Sequence, residues 1–167
     1  MSSLQLSLIR HAKAGFPSGA TSGDHARRLT KEGTLEAVAM AERLSALPFE
    51  PDLVLSSTAN RARETSSLLA QGLGWASSII STRDELYLAG PLALVRCARG
   101  CDEGVRHLAL VGHNPGLEEL WPWLTGLAAQ SLPTCGVVML RLRVKIWSEV
   151  DAGSAELIDF LNPANSC

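Results

Sequence analysis

Apolar residues fall in short continuous runs separated by longer stretches where they recur at helical spacing. Residues 4–9 (LQLSLI) form a run of strand length that breaks off at Arg10-His11. Residues 53–56 and 107–112 are further runs of this kind, each stopping at polar residues. Thr30 opens an expected helix whose apolar stripe is Leu35, Val38, Ala39 and Leu44, with Pro48 and Pro51 beyond its end. Residues 57–60 read as a turn and cap for a helix over 62–73. A short third strand is expected at 78–82, a helix at 91–99, and a helix with Pro115 in its first turn running through Trp123 and Leu124. β-branched content predicts a strand over 135–144, extended through Trp147, and an antiparallel edge strand over 155–160. The Gly-, Ser- and Thr-rich stretch 14–26 reads as a loop.

Strands alternating with helices imply an α/β fold, a three-layer α/β/α sandwich with a mainly parallel, mixed sheet. A chain of 167 residues suits one domain over 1–167 with one core. With 46% hydrophobic and 19% charged residues the composition is that of an ordinary globular protein. A net charge of -2 gives no global pull toward nucleic acid or an anionic membrane, and no apolar run is long enough to span a bilayer. The first residues lack the basic start and apolar core of a secretory signal, so a cytoplasmic location is expected, with Cys97, Cys101, Cys135 and Cys167 reduced. Cys97 and Cys101 have no second Cys/His pair at zinc spacing, and neither metal nor cofactor is expected.

Three reactive clusters each follow a predicted strand: Arg10-His11, Asn60-Arg61 and His113-Asn114. In open α/β sheets ligands gather at the carboxyl ends of strands. Two imidazoles and two guanidiniums brought together there repel one another unless an anion joins them. Phosphate fits, because arginine offers a planar, permanently charged fork to its oxygens. Histidine can attack phosphorus as neutral imidazole or donate as a cation.

These segments carry a resemblance. Residues 8–14 (LIRHAKA) resemble the Arg-His signature of the histidine phosphatase superfamily, in the Arg-His-Ala-Lys form of its SixA-like phosphohistidine phosphatases. Residues 27–33 (RRLTKEG), 56–65 (SSTANRARET) and 110–115 (LVGHNP) resemble three further family segments in the same order. The resemblance covers residues 4 to about 124 and implies a phosphoglycerate-mutase-like fold. It implies that His11 attacks phosphorus and is transiently phosphorylated, that Arg10 and Arg61 hold the phosphoryl oxygens, and that His113 donates to the same group. Arg27 matches a family arginine near the pocket. Ala12 stands where the superfamily more often has Gly, so its backbone should keep a negative φ.

Family members acting on phosphate esters usually supply a carboxylic acid, and Glu85, in Asp84-Glu85-Leu86, is the candidate here. A phosphohistidine substrate relaxes that need, since its leaving imidazole has a conjugate acid of pKa about 6.5. The intervals between segments hold no insertion long enough for a lid. An open pocket suits a phosphorylated side chain on a folded partner. The expected activity is therefore release of phosphate from a phosphohistidine-bearing protein, with phosphate the only small ligand and a monomer favoured. Two alternatives remain at this point: a phosphatase of small phosphate esters, and a phosphate-dependent scaffold without turnover. His25 and His107 match no family segment and read as ordinary histidines, Arg63 as a solvated helix residue, and Lys13 as an exposed loop lysine. Of Trp121 and Trp123, one is expected in the core and one partly exposed.

Overall fold

The computed structural model describes residues 2–16 and 23–163. Its strands form a six-stranded sheet in the order β3-β2-β4-β1-β5-β6. β1 (Gln5–Arg10), β2 (Leu53–Ser57), β3 (Ile80–Arg83) and β4 (His107–Gly112) pair in parallel. β5 (Val137–Leu142) is antiparallel to β1, and β6 (Ala155–Leu161) is antiparallel to β5 at the sheet edge. Helices α1 (Lys31–Ser45) and α2 (Asn60–Leu73) cover one face, and α3 (Pro91–Arg99) and α4 (Gly116–Thr125) cover the other. This is the three-layer arrangement expected from the alternation of elements.

Successive strand residues point to opposite faces, and both faces are buried, so the strands read as nearly continuous apolar runs. Leu4, Leu6 and Leu8 of β1 pack with Leu94 of α3 and Leu117, Leu120 and Trp121 of α4. Ile9 joins Ala37, Met40 and Leu69 on the other face. β4 divides likewise, with Leu108 and Leu110 on the first face and Ala109 and Val111 on the second. Each such side chain contributes about 1.5–3 kcal/mol by leaving water.

Three expectations are corrected. Leu35 and Val38 do not form the buried stripe of α1: they are exposed, and Gly33, Ala37, Met40, Ala41 and Leu44 are buried instead. Small residues occupy that face because α2 crosses closely; a Cβ on Gly72 would stand 2.5 Å from that of Ala41. The penultimate strand stops at Leu142 rather than extending through Trp147. There the chain enters a 3₁₀ turn, Trp147–Glu149, that buries the indole and lets its Nε1–H donate to the Val105 carbonyl at 2.8 Å. The loop expected over 14–26 contains a 3₁₀ turn, Asp24–Ala26, and residues 17–22 of it lie outside the described residues. Trp121 is buried and Trp123 partly exposed, as expected.

Two close backbone approaches lock the upper end of the sheet. Thr30 caps α1 by accepting the Gly33 N–H at 3.0 Å, and Gly33 lies so near the Lys13 carbonyl that a Cβ would stand 2.0 Å from its oxygen. Gly116, opening α4, is equally close to Ala89: a Cβ there would stand 1.9 Å from the Ala89 carbonyl oxygen.

Candidate active site

Strand order brings the chemistry together. β4 lies between β1 and β2, and Arg10 pairs in register with Gly112. His11 and His113 are therefore the next residues off two adjacent strand ends, and the His11 N–H donates to the Gly112 carbonyl at 3.0 Å. Ser56 pairs with Val111, which sets Ser57 beside the same position. The rings of His11 and His113 stand 5.2 Å apart between centroids, tilted by 55°. Arg61 reaches them from the first turn of α2. His11, His113 and Arg61 are all buried, at 8, 3 and 2% exposure.

Hydrogen bonds fix both imidazole tautomers. Arginine only donates, so the Arg61 Nε contact to His11 Nε2, at 3.3 Å, leaves Nε2 bearing its lone pair. The proton of His11 sits on Nδ1 and is donated to the Ala12 carbonyl at 2.7 Å. Arg61 Nη2 likewise faces His113 Nδ1 at 3.3 Å, so His113 carries its proton on Nε2 and donates it to Ser57 Oγ at 2.8 Å. Burial first, then the charges of Arg61, Arg10 and Arg27, pull the His11 pKa down to about 4 against the bond to Ala12. Burial, followed by His11 and Arg61, takes His113 to about 3. Both rings are therefore neutral at neutral pH. Ala12 is buried, its N–H donates to Thr65 Oγ1 at 3.0 Å, and it is not among the positive-φ residues, so alanine fits there.

Arg10 donates through Nη1 to the Leu132 carbonyl at 3.0 Å, while its buried Nε has no partner among the described residues. Arg27 donates to the Ala14 and Gly15 carbonyls, each at 3.3 Å, and to Asp24 Oδ1 at 3.0 Å.

Asp24 and Tyr87 join the cluster without having been singled out in the sequence. Asp24 Oδ2 accepts from Arg61 Nη2 at 2.9 Å and from the Tyr87 hydroxyl at 2.6 Å, and its carbonyl accepts from Arg61 Nη1 at 2.7 Å. The Tyr87 hydroxyl, with Arg27 and Arg61, holds the Asp24 carboxyl well below the usual carboxylate range, and Asp24 in turn raises the Tyr87 pKa. Tyr87 meets His113 edge-on at 5.6 Å and His25 at 4.7 Å. The only sequence signal for Asp24 was its three-residue spacing from Arg27; Tyr87 is the one tyrosine in the chain.

Glu85 is elsewhere. It is exposed, one turn before Tyr87, and lines a surface cleft of about 620 Å³ with Arg83, Arg96, Cys97 and Asp102. The turn Asp84–Leu86 buries Leu86 and so directs Glu85 outward. The carboxylate in the cluster is Asp24. His107 is a core histidine bonded to Ser7 Oγ at 2.8 Å, and His25 bonds Thr58 Oγ1 at 2.9 Å on the rim. Arg63 is exposed, and Lys13 pairs with Glu32 at 2.5 Å. Among the described residues no His, Cys, Asp and Glu grouping could hold a metal ion, and no helix is long and apolar enough to cross a membrane.

Arg27 and Arg61 share the Asp24 carboxylate, while Arg10, bonded among the described residues only to a backbone carbonyl, adds a third guanidinium charge that acts on His11; such a cluster suits an anion with several oxygens. Fold and site together define a phosphatase. Residues 6–87 match the histidine phosphatase superfamily (branch 1). Over 165 residues the chain is 31% identical to an uncharacterised protein of Mycobacterium tuberculosis, covering 93% of this chain and 99% of that one. A candidate phosphohistidine phosphatase SixA from Agrobacterium tumefaciens superposes with a TM-score of 0.82 at 29% identity, covering 98% of this chain and 99% of its own. The protein histidine phosphatase SixA in complex with tungstate has the same fold, with a TM-score of 0.82 at 24% identity over 97% and 99% of the two chains. The chain belongs to the histidine phosphatase superfamily, in its SixA-like branch.

Proposed function

We propose that the protein removes phosphate from phosphohistidine on another protein, through a phosphorylated His11. The observation that carries this reading is the tautomer of His11: its Nε2 lone pair is free of a proton and turned into the arginine cluster. An arriving phosphoryl group exchanges the long N–H···N contact of Arg61 for shorter, charge-assisted bonds to its oxygens. Arg10, Arg61 and Arg27 surround that group, and the unpartnered Nε of Arg10 gains an acceptor. His11 Nε2 then attacks phosphorus, and the bond to the leaving nitrogen breaks with its electron pair. His113, whose pKa burial, His11 and Arg61 hold low, takes up a proton as the dianion approaches, because nearby negative charge raises its pKa. As an imidazolium it keeps its bond to Ser57 and donates from Nδ1 to the phosphoryl oxygen. Water then attacks the phosphorylated His11 and releases phosphate. Catalysis of this kind rests on positioning and on stabilising charge in the transition state.

The choice of phosphohistidine over an ester rests on the leaving group. An alkoxide needs a proton, and Asp24, the carboxyl in the cluster, is held ionised. An imidazole leaving group needs none from the enzyme when its ring is already protonated. The test compares turnover of a phosphohistidine-bearing protein with that of phosphoserine and sugar phosphates, and traps the enzyme with acid-labile phosphate on His11. The expected result is a preference for phosphohistidine of about 10²-fold or more and a phosphoenzyme lost in His11→Ala. Faster turnover of the esters would select the small-ester reading; no phosphoenzyme with any substrate would select the scaffold.

A further inference from the structure

Asp24 differs from the two histidines and Arg61 in where it stands. His11, His113 and Arg61 are nearly sealed, whereas the Asp24 side chain is 40% exposed. It is joined to buried His11 through Arg61, which bonds both the Asp24 carboxylate and His11 Nε2. In an in-line displacement the leaving group departs opposite the nucleophile, so from buried His11 it leaves toward solvent, the side on which the cluster's exposed carboxylate stands. The carboxylate is held rigidly, by Arg27 on Oδ1 and by Arg61 and Tyr87 on Oδ2. Among the described residues Oδ2 thus has two donors and Oδ1 one, so Oδ1 has capacity for a further donor.

We propose that Asp24 is a specificity-determining residue that accepts a hydrogen bond from the free ring N–H of the substrate phosphohistidine and selects its protonated form. This rests on the phosphohistidine reading above. In the step, His11 Nε2 forms a bond to phosphorus while the bond from phosphorus to the substrate ring nitrogen breaks. The electron pair of the broken bond stays on that nitrogen, and the proton on the other ring nitrogen remains in place. The product is a neutral imidazole, with no proton transferred. A fixed negative charge beside the ring favours its cationic, labile form before the bond breaks. The same charge repels the leaving end of an anionic or neutral ester and offers it no proton. Asp24 therefore helps one class of leaving group and not the other.

The test is Asp24→Asn, a change of charge with little change of shape, assayed on a phosphohistidine peptide and on p-nitrophenyl phosphate. The ester uses the same His11 and the same arginines, but its phenolate leaves without a proton, so it reports whether Arg61 is still in position. The ratio of kcat/KM for phosphohistidine over the ester should fall about tenfold or more, the effect of about one pKa unit on the substrate ring. The alkaline decline of phosphohistidine turnover should move to lower pH by about one unit, with no such movement for the ester. Asp24 is faced by Arg27 from its own turn, Arg61 from α2 and Tyr87 from the turn after β3, with His113 and His25 nearby. Tyr87→Phe, which removes one of those donors but keeps the charge of Asp24, should leave the substrate ratio within about twofold. An equal loss on both substrates in Asp24→Asn, with no shift of the alkaline limb, would show that Asp24 only braces Arg61 and would overturn the inference. Absence of phosphohistidine turnover in the unaltered protein, beside working ester turnover, would instead overturn the functional reading and this inference with it.

Discussion

Arg61 Nε stands 3.3 Å from Nε2 of His11, so the guanidinium is bonded to the atom that our reading makes the nucleophile. The same side chain reaches His113, the Asp24 carbonyl and the Asp24 carboxylate. One fork therefore orients the lone pair, spaces the two rings and ties them to the rim.

Replacing that fork should cost far more than one hydrogen bond. Arg61→Ala is expected to lower kcat by about 10²–10³-fold, the range for loss of one transition-state donor. Arg61→Lys should recover little, because an ammonium offers no planar set of donors to four partners. Steady-state kinetics on a phosphohistidine peptide measure both. A lysine variant with near-normal kcat would mean that charge alone matters here.

The buried histidines make stability depend on pH. Unfolded, each has a pKa of about 6.5; folded, His11 lies at about 4 and His113 at about 3, and His107 is also lowered by burial. Between these values the unfolded chain binds more protons, so stability is complete above the unfolded pKa and falls as the medium is acidified below it. From pH 7 to pH 5 the loss should be about 2 kcal/mol for each of His11 and His113. Urea unfolding at the two pH values gives the measurement, and the double variant His11→Asn, His113→Asn should lose most of the slope. A double variant with the original slope would place the pH dependence elsewhere.

Gly33 holds helix α1 against the loop that leaves His11. Gly33→Ala puts a methyl group 2.0 Å from the Lys13 carbonyl oxygen, and backbone must move to admit it. The expected cost is about 1–3 kcal/mol of stability, read by denaturant unfolding, together with lowered kcat as residues 11–13 shift. Gly23→Ala, with nothing within 4 Å of the added Cβ, is the matched control and should change little.

Glu85→Gln should leave kcat and KM unchanged on phosphohistidine and on esters alike, because the side chain faces the cleft beside Cys97. A selective loss on esters would return Glu85 to the role of acid.

What could be read from the sequence followed from local rules. Arg10-His11 and His113-Asn114 stood out because each ends a short apolar run, and helices alternating with those runs gave the layers. The insertion of β4 between β1 and β2 left no trace in any periodicity, since strand pairing is set by contacts distant along the chain. Asp24 lies in a Gly- and Ser-rich stretch well past the end of β1, and its partner Tyr87 is 63 residues away. Helical spacing placed Leu35 and Val38 inside α1, but a helix packed closely on another buries its small residues, and Ala37 and Ala41 took that face. Glu85 was chosen by its region of the chain, and a turn of a single residue separates the outward direction from the inward one.

The place of β4 in the sheet also dictates when the protein can work. A growing chain makes β1 and β2 early, yet in the finished sheet they are not neighbours, because residues 107–112 lie between them. A piece that ends before residue 107 lacks both β4 and His113, and with them the pairing that sets the two histidine rings side by side. The centre is thus a product of long-range strand pairing, and it comes together only after two thirds of the chain is in place.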